Sequence, residues 1–483
     1  MTPAPTFTIT DIRCYERPVT LRLPFRFGAV TVTHAPQAFV RVRLQFPDGR
    51  ISWGGTAELM VPKWFDKETV QTEAQSFDQL RTSLLRARDA YLGGGRPRTA
   101  FGHFAAHYDA LVGDGREPGV PTLAACFGPA EIDKAVLDGL ARHLGVDFFT
   151  LMRGNGAGIA PADLLAEFSG FDFAAFAADL AAPARLSLRH AVGMLDELEG
   201  DPGHVGDGLP ESLEQAIARY GLRYFKLKLG GDLEVDVARL GAIAKLLDRK
   251  LSNYTVTLDG NEQYDDIDAL ETLWARVQTA PVLQVLARRI AFIEQPVNRR
   301  RALDSDVRAL AREIPIIIDE SDGSLDAFAR ARECGYSGVS SKACKGLYKS
   351  LINRARVARW NAEVREERWF MSAEDLTTQA GLAVQQDLAL AGVLGIAHVE
   401  KNGHHYVNGF AGQYAPAAEQ EAFLAAHPDL YERTAGCVRL RIAAGELRIG
   451  SLHGSGFASG AHPDWNALSP LRSTVPAIHE RTP

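Results

Sequence analysis

The chain has 483 residues, of which 46% are hydrophobic and 23% charged, with a formal net charge of −7. That length exceeds one ordinary domain, and the composition is that of a globular chain, not a disordered one. The acidic balance argues against nucleic acid or an anionic membrane as the main partner, because either favours a dense Lys/Arg face.

From the amino terminus, two stretches rich in β-branched and aromatic residues, Phe7 to Tyr15 and Ala38 to Phe46, read as strands, with Leu23 to Gly28 between them as a loop. Helical patterning follows from about Lys67 to Leu92. A further helix, Glu131 to Leu144, carries apolar residues at Ile132, Val136, Leu140 and Leu144 and stops at Gly145.

Beyond Arg185 short apolar strands alternate with helical segments. The strands are Arg189 to Met194, Tyr224 to Leu229, Thr255 to Asp259, Ala291 to Glu294, Pro315 to Asp319, Gly338 to Lys342, Trp369 to Ser372 and Ala397 to Glu400. Helical segments such as Leu233 to Arg249, Ala302 to Arg312 and Ser350 to Trp360 lie between them. Eight strands in this alternation predict a parallel barrel, an α/β fold, and no G-x-G-x-x-G follows the first strand. After Phe410 the alternation ends. A strand pair, Val438 to Ile442 and Glu446 to Ile449, is expected there, in a tail that returns to the amino-terminal domain.

In a parallel barrel the chemistry gathers where the strands end, because the βα loops converge there. The second strand ends Lys226-Leu227-Lys228, and two residues apart on a strand both amines face the barrel mouth. The next strands end at Asp259 (Asp259-Gly260-Asn261), Glu294 (Glu294-Gln295-Pro296) and Asp319 (Asp319-Glu320-Ser321), and the sixth ends at Lys342. A lone carboxylate after an apolar strand is commonly a helix N-cap. Three on adjacent strands form a set of hard oxygen ligands suited to Mg²⁺. Without a cation their burial would cost several kcal/mol.

Taken in order, these motifs resemble the enolase superfamily, in its muconate-lactonizing-enzyme-like branch. The resemblance covers most of the chain and implies a modified (β/α)₇β TIM-like barrel with an α+β capping domain. We expect a cap at 1–130, a barrel at 131–412 and a returning segment at 413–483. The interval from Asp259 to Glu294 is lengthened by a helical piece near Pro281 to Arg289. Carried over residue by residue, the resemblance implies that Asp259, Glu294 and Asp319 bind Mg²⁺. Lys228 and Lys342 become the acid/base pair, and Lys226 neutralises the substrate carboxylate or lowers the proton affinity of Lys228. The implied reaction is removal of the proton α to a carboxylate, with the enediolate stabilised by the metal.

Candidate substrate contacts are Asn261, Glu320, Glu374, Glu400, His404 and, in the cap, Arg26. The seventh strand ends Met371-Ser372-Ala373-Glu374-Asp375 without a His, so a His base of the mandelate-racemase kind is not expected. The eighth reads His398-Val399-Glu400-Lys401-Asn402-Gly403-His404-His405, without the Asp-x-Asp by which dipeptide epimerases bind the substrate ammonium. Lys345 reads as the start of the following helix, and Arg299-Arg300-Arg301 as solvated loop charge. Racemisation or epimerisation leads. Cycloisomerisation or dehydration of an acid sugar stands behind it, with a Schiff-base aldolase on Lys342 or a non-catalytic binding barrel as other classes.

The five scattered cysteines, Cys14, Cys126, Cys334, Cys344 and Cys437, contain no C-x-x-C pair, so no disulfide framework or thiolate zinc site is indicated. Met1-Thr2-Pro3-Ala4-Pro5 lacks the basic and apolar regions of a signal peptide, and no apolar run is long enough to span a bilayer. A cytoplasmic homo-oligomer acting on a small-molecule carboxylate is expected, with no nucleic-acid or membrane partner.

Overall fold

The computed structural model describes residues 3–67, 72–374, 376–434 and 436–473. Asp375, the first two residues of the amino-terminal motif and positions 68–71 of the first expected helix lie outside the described residues.

Strands β1 (Thr8–Phe27), β2 (Val30–Gln45) and β3 (Ile51–Leu59) form an antiparallel sheet. The loop expected at Leu23 to Gly28 is instead the end of β1, and the hairpin turns at Gly28, whose φ of +52° suits glycine. Phe25 and Phe27 alternate with Arg26 in strand period and pair across to Val32 and Val30. Pro18 stands opposite Pro36, so neither missing N–H costs the ladder a bond.

Two helices cover this sheet. One, Glu73–Gly93, starts at a capping box built by Thr72 and Gln75. The other, Thr122–Leu144, begins earlier than the expected Glu131 because Pro129 does not break it. Proline deprives Ala125 O of its i+4 donor, and the Ser83 hydroxyl replaces it at 3.1 Å while accepting from Gly128 N at 3.0 Å. This helix runs through the boundary expected at 130–131. It lies so close to β3 that a Cβ on Gly54 would come within 2.0 Å of Ala135 O.

The barrel strands are β4 (Arg185–Val192), β5 (Tyr224–Lys228), β6 (Thr255–Asp259), β7 (Ile290–Glu294), β8 (Ile316–Ile318), β9 (Gly338–Ser341), β10 (Phe370–Ala373) and β11 (His398–Glu400). Each is parallel to its neighbours, β11 pairs with β4, and β10 packs on β11 to close the ring. Helices such as Leu233–Lys250 and Leu347–Val364 surround it. The helix expected at Ala302 to Arg312 is reduced to Arg299–Ala302 and a 3₁₀ turn, Leu310–Arg312. The piece expected near Pro281 to Arg289 is a 3₁₀ turn, Pro281–Leu283, running into helix Gln284–Ala287.

The tail touches both layers. The expected pairing of Val438 to Ile442 with Glu446 to Ile449 does not form. Cys437–Leu440 pairs with Tyr431–Thr434, and Glu446–Arg448 lies antiparallel along β4 of the barrel. Ser469–Pro470 then joins the free edge of β1 in the cap. Cap and barrel are also clamped by Arg22 on β1, which meets Asp207 through two bonds of 2.7 Å and donates to Leu209 O at 3.0 Å and Pro210 O at 2.9 Å. On the other side Gln386, in helix Leu382–Val393, donates to Gly55 O at 2.9 Å and accepts from Thr56 Oγ1 at 2.6 Å. All five cysteines are free thiols. Among the described residues no helix is long and apolar enough to cross a membrane.

Candidate active site

Lys226 and Lys228 leave the same face of β5 and are both buried, as their spacing predicts. Lys226 Nζ lies 2.9 Å from Asp259 Oδ2, 2.9 Å from Glu294 Oε2 and 3.0 Å from Glu400 Oε2, and it touches Glu374. Burial alone would lower its proton affinity, but Asp259, Glu294 and Glu400 raise it well above that of an ordinary lysine. Lys228 Nζ is 2.6 Å from Asp259 Oδ2.

Across the ring, Lys342 Nζ is 2.6 Å from Asp319 Oδ2 and meets Glu374. Lys345 does not start the next helix. It is buried in the 3₁₀ turn Ala343–Lys345 and reaches Asp319 Oδ1 at 2.9 Å and Ser340 O at 2.6 Å. Burial would raise the Asp319 carboxyl, but Lys342 and Lys345 hold it well below the usual range. Asp259 is likewise held low by Lys226 and Lys228 against its burial. Glu294 goes the other way. Burial, with Asp259 and Asp319 beside it, carries it up to about 7 despite Lys226.

The three carboxylates that stand within 4.8 Å of one another are Asp259, Glu294 and Glu374. Asp319 of the expected trio is not in that group, because both its oxygens are drawn aside by Lys342 and Lys345. The chemistry of the cluster fits a divalent cation. Glu294 Oε1 accepts no hydrogen bond although it is buried, and Glu294 Oε2 and Glu374 Oε1 meet the Lys226 ammonium, which Asp259 and Glu400 share. Gln295 fixes the geometry beneath: its Oε1 accepts from Asp319 N at 2.8 Å and Ser321 N at 3.1 Å, and its Nε2 donates to Val297 O and Ser321 Oγ.

A cavity that opens to solvent lies over these groups. Phe25, Phe27, Val32, Val61 and Trp64 of the cap line it, with Lys228, Asn261, Lys342, Glu374, Leu376, Thr377 and Glu400 of the barrel. Of the expected substrate contacts, Asn261, Glu374 and Glu400 therefore reach it. Three do not. Arg26 is exposed on the opposite side of β1 from Phe25 and Phe27, its Nε on Gly28 O. Glu320 sits behind Asn261, paired with Lys67 at 3.3 Å. His404 faces Tyr220, whose hydroxyl lies 3.0 Å from its Nδ1. His405 lies beside Asp196, 3.4 Å away.

Arg299 is not solvated either. It bonds Glu262 and donates to Trp64 O at 2.9 Å and Phe65 O at 2.8 Å, anchoring Trp64 over the cavity. Sequence reasoning passed over Trp64 and the buried Arg189, which donates to Ser372 Oγ at 2.8 Å and Ala373 O at 3.0 Å inside the barrel. A charged residue within the first strand was the available signal for Arg189. Trp64 had none, because its seat depends on contacts distant in sequence.

Residues 208–361 match the family model described as enolase C-terminal domain-like, and the closed eight-strand parallel barrel under an antiparallel cap is a fold shared with enolase-superfamily structures. No curated protein sequence matches the chain. Among solved structures, the 2-chloromuconate cycloisomerase of Rhodococcus opacus 1CP is similar in fold, with TM-score 0.58 and 18% identity over 95% of this chain and 98% of that one. A dipeptide epimerase from Cytophaga hutchinsonii, complexed with Mg and D-Ala-L-Val, has TM-score 0.57 and 15% identity over 96% and 98%. A mandelate racemase/muconate lactonizing protein from Herpetosiphon aurantiacus has TM-score 0.58 and 18% identity over 93% and 98%.

Proposed function

We propose that this enzyme is a racemase or epimerase that moves the proton on the carbon α to a carboxylate. The observation that carries the reading is the placement of Lys228 and Lys342. Strands β5 and β9 are separated by three others in an eight-strand ring, so the two amines enter one cavity from opposite sides. One amine removes the proton from one face and the other returns a proton to the far face. Lys226, held charged among the carboxylates, offers positive potential to the incoming substrate carboxylate. Mg²⁺ held by Asp259, Glu294 and Asp319, with Glu374 as the further carboxylate in reach, would supply the charge stabilisation that so weak a carbon acid needs. The cap residues exclude water from the carbon being deprotonated.

The absence of an Asp-x-Asp pair on β11 argues against a dipeptide. Glu400 is engaged by Lys226, and Asn402, two residues on, donates to Ala191 O at 3.1 Å.

The test is a Mg²⁺-supplemented screen of carboxylates in D₂O followed by mass spectrometry and chiral analysis. One deuterium gained with inversion and without loss of water is the expected result. Loss of water would replace the racemase with a lyase on the same scaffold. Lys228→Ala and Lys342→Ala should each abolish racemisation while leaving exchange from a single face.

A further inference from the structure

We infer that the substrate is a monocarboxylate whose two other substituents on the α carbon are apolar and uncharged, one of them an aryl or branched alkyl group, and not a polyhydroxy acid, a dicarboxylate or a dipeptide. The inference rests on the racemase reading for the site and names the substrate class within it.

The cavity has two chemically distinct halves. Its floor carries every charged lining group, namely Lys228, Lys342, Glu374 and Glu400. Its roof is Phe25, Phe27, Val32, Val61 and Trp64, with Leu376 at the side. The strand period creates this roof. Phe25 and Phe27 share a face of β1, Val32 lies opposite Phe25 on β2, and Arg26 is turned outward. The aromatic rings stand against the two amines: Lys228 Nζ is 5.9 Å from the Phe25 ring centre and Lys342 Nζ is 4.0 Å from that of Trp64. A carbon held between the amines therefore points its substituent into aromatic and aliphatic surface.

Among the described lining residues, each polar substrate class lacks its counterpart. A second carboxylate would need a cation in the roof. Lys67 of the cap is occupied by Glu262 at 2.7 Å, Glu320 at 3.3 Å and Asn261 O at 2.7 Å. A row of hydroxyls would need donors and acceptors. Thr377 Oγ1 already donates to Leu376 O at 2.6 Å and Asn261 Nδ2 to Glu320 Oε1 at 3.3 Å, which leaves Asn261 Oδ1. A substrate ammonium would need a carboxylate not already committed, and Glu374 and Glu400 both meet Lys226.

The test measures binding and turnover separately on the Mg²⁺-loaded full chain. Calorimetry with 2-phenylpropionate, 2,4-dimethylpentanoate, glutarate, gluconate and Ala-Ala should show the first two binding at least 10-fold tighter than the other three. That is the scale on which an apolar pocket discriminates by one or two methylenes, roughly 10- to 200-fold each. Phe27→Arg should invert the order between 2-phenylpropionate and glutarate. Equal or tighter binding of glutarate, gluconate or the dipeptide to the unmodified chain would overturn the substrate class. Deuterium exchange is the second arm. Apolar acids that bind without α-exchange would overturn the racemase reading and leave the class standing, whereas failure of every acid to bind would overturn both.

Discussion

Glu294 lies among the buried carboxylates with its Oε2 sharing the Lys226 ammonium at 2.9 Å, and its Oε1 accepts no hydrogen bond. A carboxylate so placed is stabilised by a cation more than by any donor the protein supplies. We expect Asp259→Asn and Glu294→Gln each to weaken Mn²⁺ binding at least 10-fold, read by electron paramagnetic resonance titration. Asp319→Asn and Glu374→Gln separate two ligand sets. If Asp319 completes the site, its loss matches that of Glu294 and Glu374→Gln costs less. The reverse order would place Glu374 in the coordination sphere. Lys345 gives a further residue-scale expectation. Lys345→Met leaves Asp319 Oδ1 without its ammonium, and should lower the rate of α-proton exchange more than it changes substrate affinity, seen as a fall in kcat with KM nearly constant.

Elements hold these residues in place through a few close contacts. Gly54 is the point where β3 lies against the backbone of helix Thr122–Leu144, and Gly54→Ala should destabilise the fold by about 1–3 kcal/mol, measurable in urea unfolding. Arg299 is the barrel's grip on Trp64. Arg299→Ala should raise KM for the apolar acids several-fold in steady-state kinetics, since the roof loses the anchor of one wall. The barrel was legible in the sequence because each strand is a short apolar run ended by a polar residue; Thr255–Asp259 falls where it was expected to the residue. The cap was harder to read. Leu23 to Gly28 read as a loop, yet β1 continues through it to Phe27, in a hairpin where Pro18 and Pro36 face each other. Pro129 suggested a helix start, but a serine from the neighbouring helix supplies the bond that proline removes. At the site, spacing along the strands predicted that Lys226, Lys228, Asp259, Glu294 and Lys342 stand at the strand ends, where the structure has them buried together. It could not show that Lys345 would draw Asp319 aside, nor that Arg26 and His404 would turn away from the cavity.

At the scale of the whole molecule, buried histidines set the acid limit. Burial lowers His103 and His427 to about 4 and His190, His398 and His404 to about 3. Their pKa values in the unfolded chain lie near 6.5, so the unfolded state takes up protons first as pH falls. The stability they contribute is complete above pH 6.5 and is lost progressively towards pH 3. For His103 alone, a fall to about 4 corresponds to roughly 3 kcal/mol at the acid end. Thermal unfolding followed by circular dichroism should therefore show Tm dropping steeply below about pH 6, and His103→Gln should flatten part of that slope.

The route of the tail bears on how the molecule is made. The edge of the cap sheet is closed by the pairing of Glu16 with Ser469, and the rim of the barrel by Glu446–Arg448 against β4. During synthesis the first strand leaves the ribosome long before its last partner exists. The nascent cap must wait with an open edge while the entire barrel is translated, and that interval is when a chaperone, or a second nascent copy, would find it.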